Sequence, residues 1–180
     1  MTLKTLTTAI ALATTPVLAD DTSYTVERLL DETQMIRIAD GLDAAVDGKD
    51  WDAARGFFAD TIDVDFTSLV GGEPMTIPAD GLIAGWSSNL TAEKTSFHLR
   101  GNHRVTFDGP EAATLDSHGY AWNRLDRGAL PENGGDPMWE VWGTYSYDFA
   151  RSEDGWKITS FTFNATAERG NPFVRNTPGS

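Results

Sequence analysis

The spacing of apolar residues divides the chain into a helical first half and a strand-rich second half. After a candidate cap at Asp21 or Thr22, Val26, Leu29, Leu30, Thr33, Ile36 and Leu42 fall near helical spacing with charges between them. This predicts an amphipathic helix ending near Val46, with Gly41 as a candidate bend or break. Asp47-Gly48-Lys49-Asp50 closes that helix, and Asp50 is placed to cap a short second one over Trp51–Phe58. The period then changes. Ile62, Val64 and Phe66 alternate with Asp63, Asp65 and Thr67, the pattern of a half-buried strand. Gly71-Gly72-Glu73-Pro74 reads as a loop, and Ala79–Leu90 as a third amphipathic helix with Leu82, Ile83 and Trp86 on its apolar side.

Strands follow to the end. Thr95–Arg100 is one, continued or followed by His103–Phe107; Asp108-Gly109-Pro110 turns into Ala112–Leu125. A Gly/Pro/Asn-rich loop over 127–137 leads to Met138–Ala150, and Glu153-Asp154-Gly155 makes a tight hairpin into Trp156–Ala167. Helices first and long strands last predict an α+β fold, with helices packed on one face of a curved antiparallel sheet. There is no internal repeat or linker. The expected organisation is one domain over residues 20–172 and a flexible tail over 173–180, rich in Gly, Pro and Asn.

Residues 1–19, MTLKTLTTAIALATTPVLA, lie before that domain. Lys4, an apolar stretch from Leu6 to Ala13, Pro16 and a terminal Val17-Leu18-Ala19 have the layout of a secretory signal peptide. The expectation is a secreted or periplasmic protein, with no further apolar run near the roughly 20 residues of a membrane span. The formal net charge of −13 offers no basic stripe for phosphate contacts, which argues against nucleic-acid binding. The chain contains no Cys, which excludes disulfides, thiolate metal sites and a cysteine nucleophile. No GxGxxG, P-loop or GxSxG motif occurs, so no nucleotide cofactor and no serine hydrolase chemistry is expected.

Three segments in order resemble SnoaL-like proteins of the nuclear transport factor 2-like superfamily. The first is Asp47-Gly48-Lys49-Asp50-Trp51-Asp52 followed by Ile62-Asp63-Val64-Asp65-Phe66 and the Gly71-Gly72 loop. The second is Phe97-His98-Leu99 before the strand pair hinged at Asp108-Gly109. The third is Gly143-Thr144-Tyr145-Ser146-Tyr147-Asp148 leading to Asp154-Gly155-Trp156-Lys157-Ile158. The resemblance spans about Tyr24 to Pro172. It implies a cone-shaped fold around one pocket for a small, mostly apolar ligand. It also makes a homodimer through the open sheet face an expectation, with His118, Tyr120 and Trp122 as an aromatic surface.

The superfamily includes polyketide cyclases, scytalone dehydratase, ketosteroid isomerase and limonene epoxide hydrolase. The nearest catalytic pattern is similar to that of scytalone dehydratase, in which an Asp at a helix end holds a strand His that acts as base. Asp47 and His98 fall on those two positions. A histidine supplies a base that titrates near neutrality, and a carboxylate fixes its tautomer. The chain departs from the pattern elsewhere: Val46 and Phe66 stand where two tyrosines orient a water, Asn123 near a second His, and Tyr145 and Gly143 near an Asn and a Ser. By the same register Trp139, Val141, Gly143, Tyr145 and Tyr147 face the cone. Tyr145 and Asn123 are then the candidate hydrogen-bonding groups beside Asp47 and His98, and Phe66, Trp86, Trp139 and Val141 the candidate ligand contacts.

The other polar residues carry plainer readings. Arg100 shares a strand face with His98 and is expected to be exposed. Asp60, Asp63 and Asp65 read as a solvated face. His98, His103 and His118 show no HxH or HExxH spacing, so no metal site is expected. Two functions stay open: a cofactor-free lyase, isomerase or cyclase acting on a carbonyl compound, and a ligand-binding or dimeric module without catalysis.

Overall fold

The computed structural model describes residues 24–126 and 133–178. The expected signal peptide, the cap candidates Asp21 and Thr22, and residues 127–132 lie outside them. Helix α1 (Val26–Gly48) is capped by Thr25, whose side chain accepts the Arg28 N–H at 3.2 Å. Its buried stripe starts only at Met35 and runs through Ile38, Ala39, Leu42, Asp43 and Val46. Val26, Leu29 and Leu30, read as part of the apolar side, are exposed. The helix passes through Gly41 without a break, because that glycine makes room for Phe57: a Cβ there would lie 3.0 Å from the Phe57 ring. Met35 and Leu42 are almost wholly buried, and truncating either to Ala would cost about 2–5 kcal/mol.

Helix α2 (Trp51–Gly56) is capped by Asp50, which accepts the Ala53 N–H. It ends two residues early because strand β1 (Phe58–Asp65) claims Phe58. Asp65 then accepts both the backbone N–H and the hydroxyl of Thr67, starting the single turn α3 (Thr67–Val70). Strand β2 (Met75–Pro78) pairs with β1, and helix α4 (Ala79–Asn89) follows it directly. Neither α3 nor β2 has a legible period, since each is four residues long.

The long strands are β3 (Lys94–Phe107), β4 (Ala112–Leu125), β5 (Met138–Ser152) and β6 (Gly155–Gly170). The sheet runs β2-β1-β6-β5-β4-β3 and stays unclosed. Pairing is antiparallel except between β1 and β6, so the sheet is mixed where an antiparallel one was expected. Register shifts within β3·β4 and twice within β5·β6 bend it into a cone-like curve. The shift in β3 falls between Gly101 and Arg104, with Asn102 in the left-handed conformation at φ 56°. His103, Val105 and Phe107 therefore turn to the face already taken by His98 and Arg100, and one strand does what reads as two in the sequence.

The concave face carries α1 and the core, including Leu115, Tyr147, Ile158 and Phe161. The convex face of β3–β5 presents Phe97 stacked on Trp122 and Tyr120 against Trp142, with Leu99 58% exposed. Within the stretch read as a tail, Pro172–Asn176 form a short helix, α5, capped by Asn171 and anchored by the fully buried Val174.

Candidate active site

Asp47 lies in the last turn of α1, where the helix dipole disfavours a carboxylate. Lys49 ends the helix in a left-handed conformation at φ 60° and donates its ammonium to Ser96 on β3. Thus α1 terminates against the first part of β3. Two donors from β3 offset the dipole: Asp47 Oδ2 accepts the His98 backbone N–H at 2.7 Å, and Oδ1 lies 2.7 Å from His98 Nδ1. Burial works to raise the Asp47 carboxyl. The His98 ring bond, its charge and its backbone N–H outweigh that and hold it below the usual carboxylate range. A ring N–H at Nδ1 directed to Asp47 leaves Nε2 as the lone-pair nitrogen.

A second pair repeats this arrangement one turn away. Asp43 precedes Asp47 by four residues on α1, and Arg100 follows His98 by two on β3. Arg100 Nε and Nη2 donate to the two Asp43 oxygens at 2.5 and 2.6 Å. The Arg100 side chain is 2% exposed, which overturns the expectation of a solvated arginine. Its guanidinium sits against the Tyr145 and Tyr147 rings, 3.7 and 4.8 Å from their centroids. Arg100 Nη1 and the Tyr147 hydroxyl are buried without a well-formed hydrogen bond.

These groups line one end of a cavity of about 430 Å³. His98, Asp43, Arg100, Tyr145 and Asn123 supply its polar wall. Phe66, Trp86, Trp139 and Val141 all lie on its apolar wall, with Phe161 edge-on to both Phe66 and Trp86. The Asn123 side-chain oxygen is buried without a partner. The Tyr145 hydroxyl makes no hydrogen bond among the described residues; burial pushes it up to about 12, with Arg100 pulling the other way. Val46 also lines the cavity and carries no hydroxyl, so neither it nor Phe66 can orient a water.

Leu69, Asn89, Arg175 and Asn176, at the ends of α3, α4 and α5, also contribute to the lining. Lys94 ties two of these elements together. It is fully buried and donates to Asn89 Oδ1, the Thr177 carbonyl and the Arg175 carbonyl, at 2.6, 2.9 and 3.3 Å. Burial, with help from Lys49, pulls this ammonium down to about 8. Arg175 adds bonds to Glu168 and to the Leu69 carbonyl.

The remaining polar residues fall elsewhere. Asp60 pairs with Arg55, and Asp63 accepts from Thr76, both at the exposed β1 surface. His118 is exposed beside Asn102 on the convex side, and His103 Nε2 lies 3.2 Å from Asp40 without hydrogen-bond alignment. The described residues contain no group of three or more His, Asp or Glu side chains able to hold a metal ion. Asp43 and the burial of Arg100 escape a sequence reading that treats each residue singly. The matching intervals, four on the helix and two on the strand, are the signal that could have found them.

The family model for the SnoaL-like domain matches residues 27–162. Among solved structures, the Kfla4162 protein of Kribbella flavida is similar at 26% identity and TM-score 0.75, covering 82% of this chain and 98% of that one. A candidate scytalone dehydratase of Novosphingobium aromaticivorans aligns at 15% identity and TM-score 0.67, covering 79% and 89%. The type 3 hexachlorocyclohexane dehydrochlorinase of Novosphingobium barchaimii aligns at 12% identity and TM-score 0.63, covering 81% and 92%. At such identities the last two show a shared fold. No curated protein matches the chain in sequence.

Proposed function

The chain belongs to the SnoaL-like domain family, and from that premise we propose that it is a cofactor-free enzyme of the lyase, isomerase or cyclase type. Its substrate is a small, mostly apolar carbonyl compound held in the cavity. The observation that carries this reading is the Asp47–His98 pair, bonded at 2.7 Å and opening on a cavity of about 430 Å³. His98 Nε2 takes a proton from the carbon beside the carbonyl, and the C–H electron pair moves into the enolate. Asp47 stabilises the imidazolium, and Tyr145 or Asn123 donates a hydrogen bond to the enolate oxygen. Expulsion of a group from the neighbouring carbon completes an elimination; return of the proton at another carbon completes an isomerisation. The names of two structural neighbours, a dehydratase and a dehydrochlorinase, both denote eliminations and favour the first course.

Deuterium exchange tests this. A panel of small cyclic ketones is incubated with the protein in heavy water, and label at the carbon beside the carbonyl is followed by mass spectrometry. The wild type is expected to label at least one compound and H98Q none. Compounds that bind without labelling in either protein would instead favour the non-catalytic binding module.

The convex surface supports a second element of the reading, association of two copies. Phe97 and Leu99, 41% and 58% exposed, continue into Tyr120, Trp122 and Trp142, an unusually aromatic face for a wetted sheet. We also propose that residues 1–19 serve as an export leader, which would deliver the protein to the periplasm or medium.

A further inference from the structure

Arg100, Gly119 and Gly143 stand abreast on β3, β4 and β5. Two glycines beside an arginine leave a trough in the concave face, and Tyr145 leans into it from the neighbouring row. A Cβ on Gly119 would overlap the edge of the Tyr145 ring, and one on Gly143 would overlap Phe163 and the Asn164 carbonyl. Phe163 packs on the ring at 4.4 Å between centroids. The ring therefore lies over Gly119 and covers the Arg100 guanidinium at 3.7 Å.

That placement limits what Arg100 can do. Nε and Nη2 are taken by Asp43, and Nη1, without a hydrogen-bond partner, is buried, so the guanidinium is held in place from the α1 side. Its charge acts through the aromatic face that covers it. A cation against a phenol ring favours the phenolate and strengthens the hydroxyl as a donor. Asp43 and Asp47 on α1 oppose this from farther off, and Tyr147 on β5 shares the guanidinium. The hydroxyl so affected is the one in the cavity wall with His98.

We infer that Arg100 is a positioning residue for Tyr145: it fixes the ring over Gly119 and polarises the hydroxyl. The site then favours ligands that present a carbonyl oxygen to Tyr145 while their acidic carbon faces His98. The preference for such ligands rests on the acid–base reading above; the coupling of Arg100 to Tyr145 does not.

The test is a titration of Tyr145 in protein carrying 3-fluorotyrosine, whose more acidic phenol ionises while the protein is folded. The fluorine resonance is assigned with Y145F. In D43N/R100M the phenol is expected to become a weaker acid, because the Arg100 charge that favours the phenolate outweighs the Asp43 charge removed with it. G119A, which displaces the ring and leaves both charges in place, should shift it the same way, and R100K should bring it back toward wild type. An unchanged midpoint in D43N/R100M and G119A, with circular dichroism showing the proteins folded, overturns the inference. If the double variant does not fold, G119A carries the test alone. No substrate enters the measurement. A shifted midpoint in a protein that labels no ketone upholds the coupling and removes the enzyme reading; an unchanged midpoint in an active enzyme does the reverse.

Discussion

Gly119 and Tyr145 occupy the same space to within one Cβ, so the strand beside Arg100 tolerates no side chain under the tyrosine ring. G119A should lower stability by about 1–3 kcal/mol through overpacking. G119A/Y145F should recover little of that, since the ring is unchanged, whereas G119A/Y145L should recover most. Urea unfolding of the four proteins decides it.

Breaking the Asp43–Arg100 pair should cost far more than removing it. R100M leaves a buried carboxylate facing nothing, a loss of about 3–5 kcal/mol. D43L/R100M, with both charges gone, should fall well short of that loss. A double-mutant cycle on unfolding free energies checks the difference. Equal losses would mean that Asp43 finds another partner.

Asp47 makes stability depend on pH in the acid range. Its folded carboxyl is held below the ordinary value near 3.8, so the unfolded chain takes up the proton first. The contribution is complete above the ordinary value and is lost as pH falls through the lowered folded one. D47N should flatten this acid slope. Chemical unfolding between about pH 5 and pH 2 reads it.

Lys94 acts in the alkaline range with the opposite charge. Its folded value near 8 lies below the ordinary 10.5, so the unfolded chain holds the extra proton between the two. Stability from this group therefore rises with pH across that window, by about 3 kcal/mol at most. K94M should lack the rise. It should also loosen α5, whose carbonyls lose their donor, and proteolysis after Arg175 should quicken.

If two copies meet through the convex face, L99E should convert a dimer to a monomer with little change in the monomer's fold, because Leu99 already faces solvent in the single chain. Light scattering across a dilution series measures this. A wild type that is monomeric at every concentration removes the proposal.

The order of the long elements was legible in the sequence from local spacing, and the family and the helix-end Asp with its strand His from a resemblance carried by a few short segments. Asp50 capped α2 as read, for the same local reason. The four apolar positions Phe66, Trp86, Trp139 and Val141 could be placed toward a pocket because the resemblance says which strand and helix faces turn to the cone.

What lay out of reach was non-local. The sequence by itself determined which residues share a face within each regular stretch of helix or strand, because that depends only on backbone periods of 3.6 and 2; the irregularity at Asn102, which flips the face along β3, it did not show. Only the tertiary structure decided what each face meets. Arg100 is buried because α1 brings Asp43 against it, Val26 and Leu30 are exposed because no other described residue covers that side of the helix start, and Lys94 is fully buried because three acceptors from α4 and the C-terminal segment close around it. Burial of a charge depends on a partner's position in space, and that position is set by the curvature of the whole sheet.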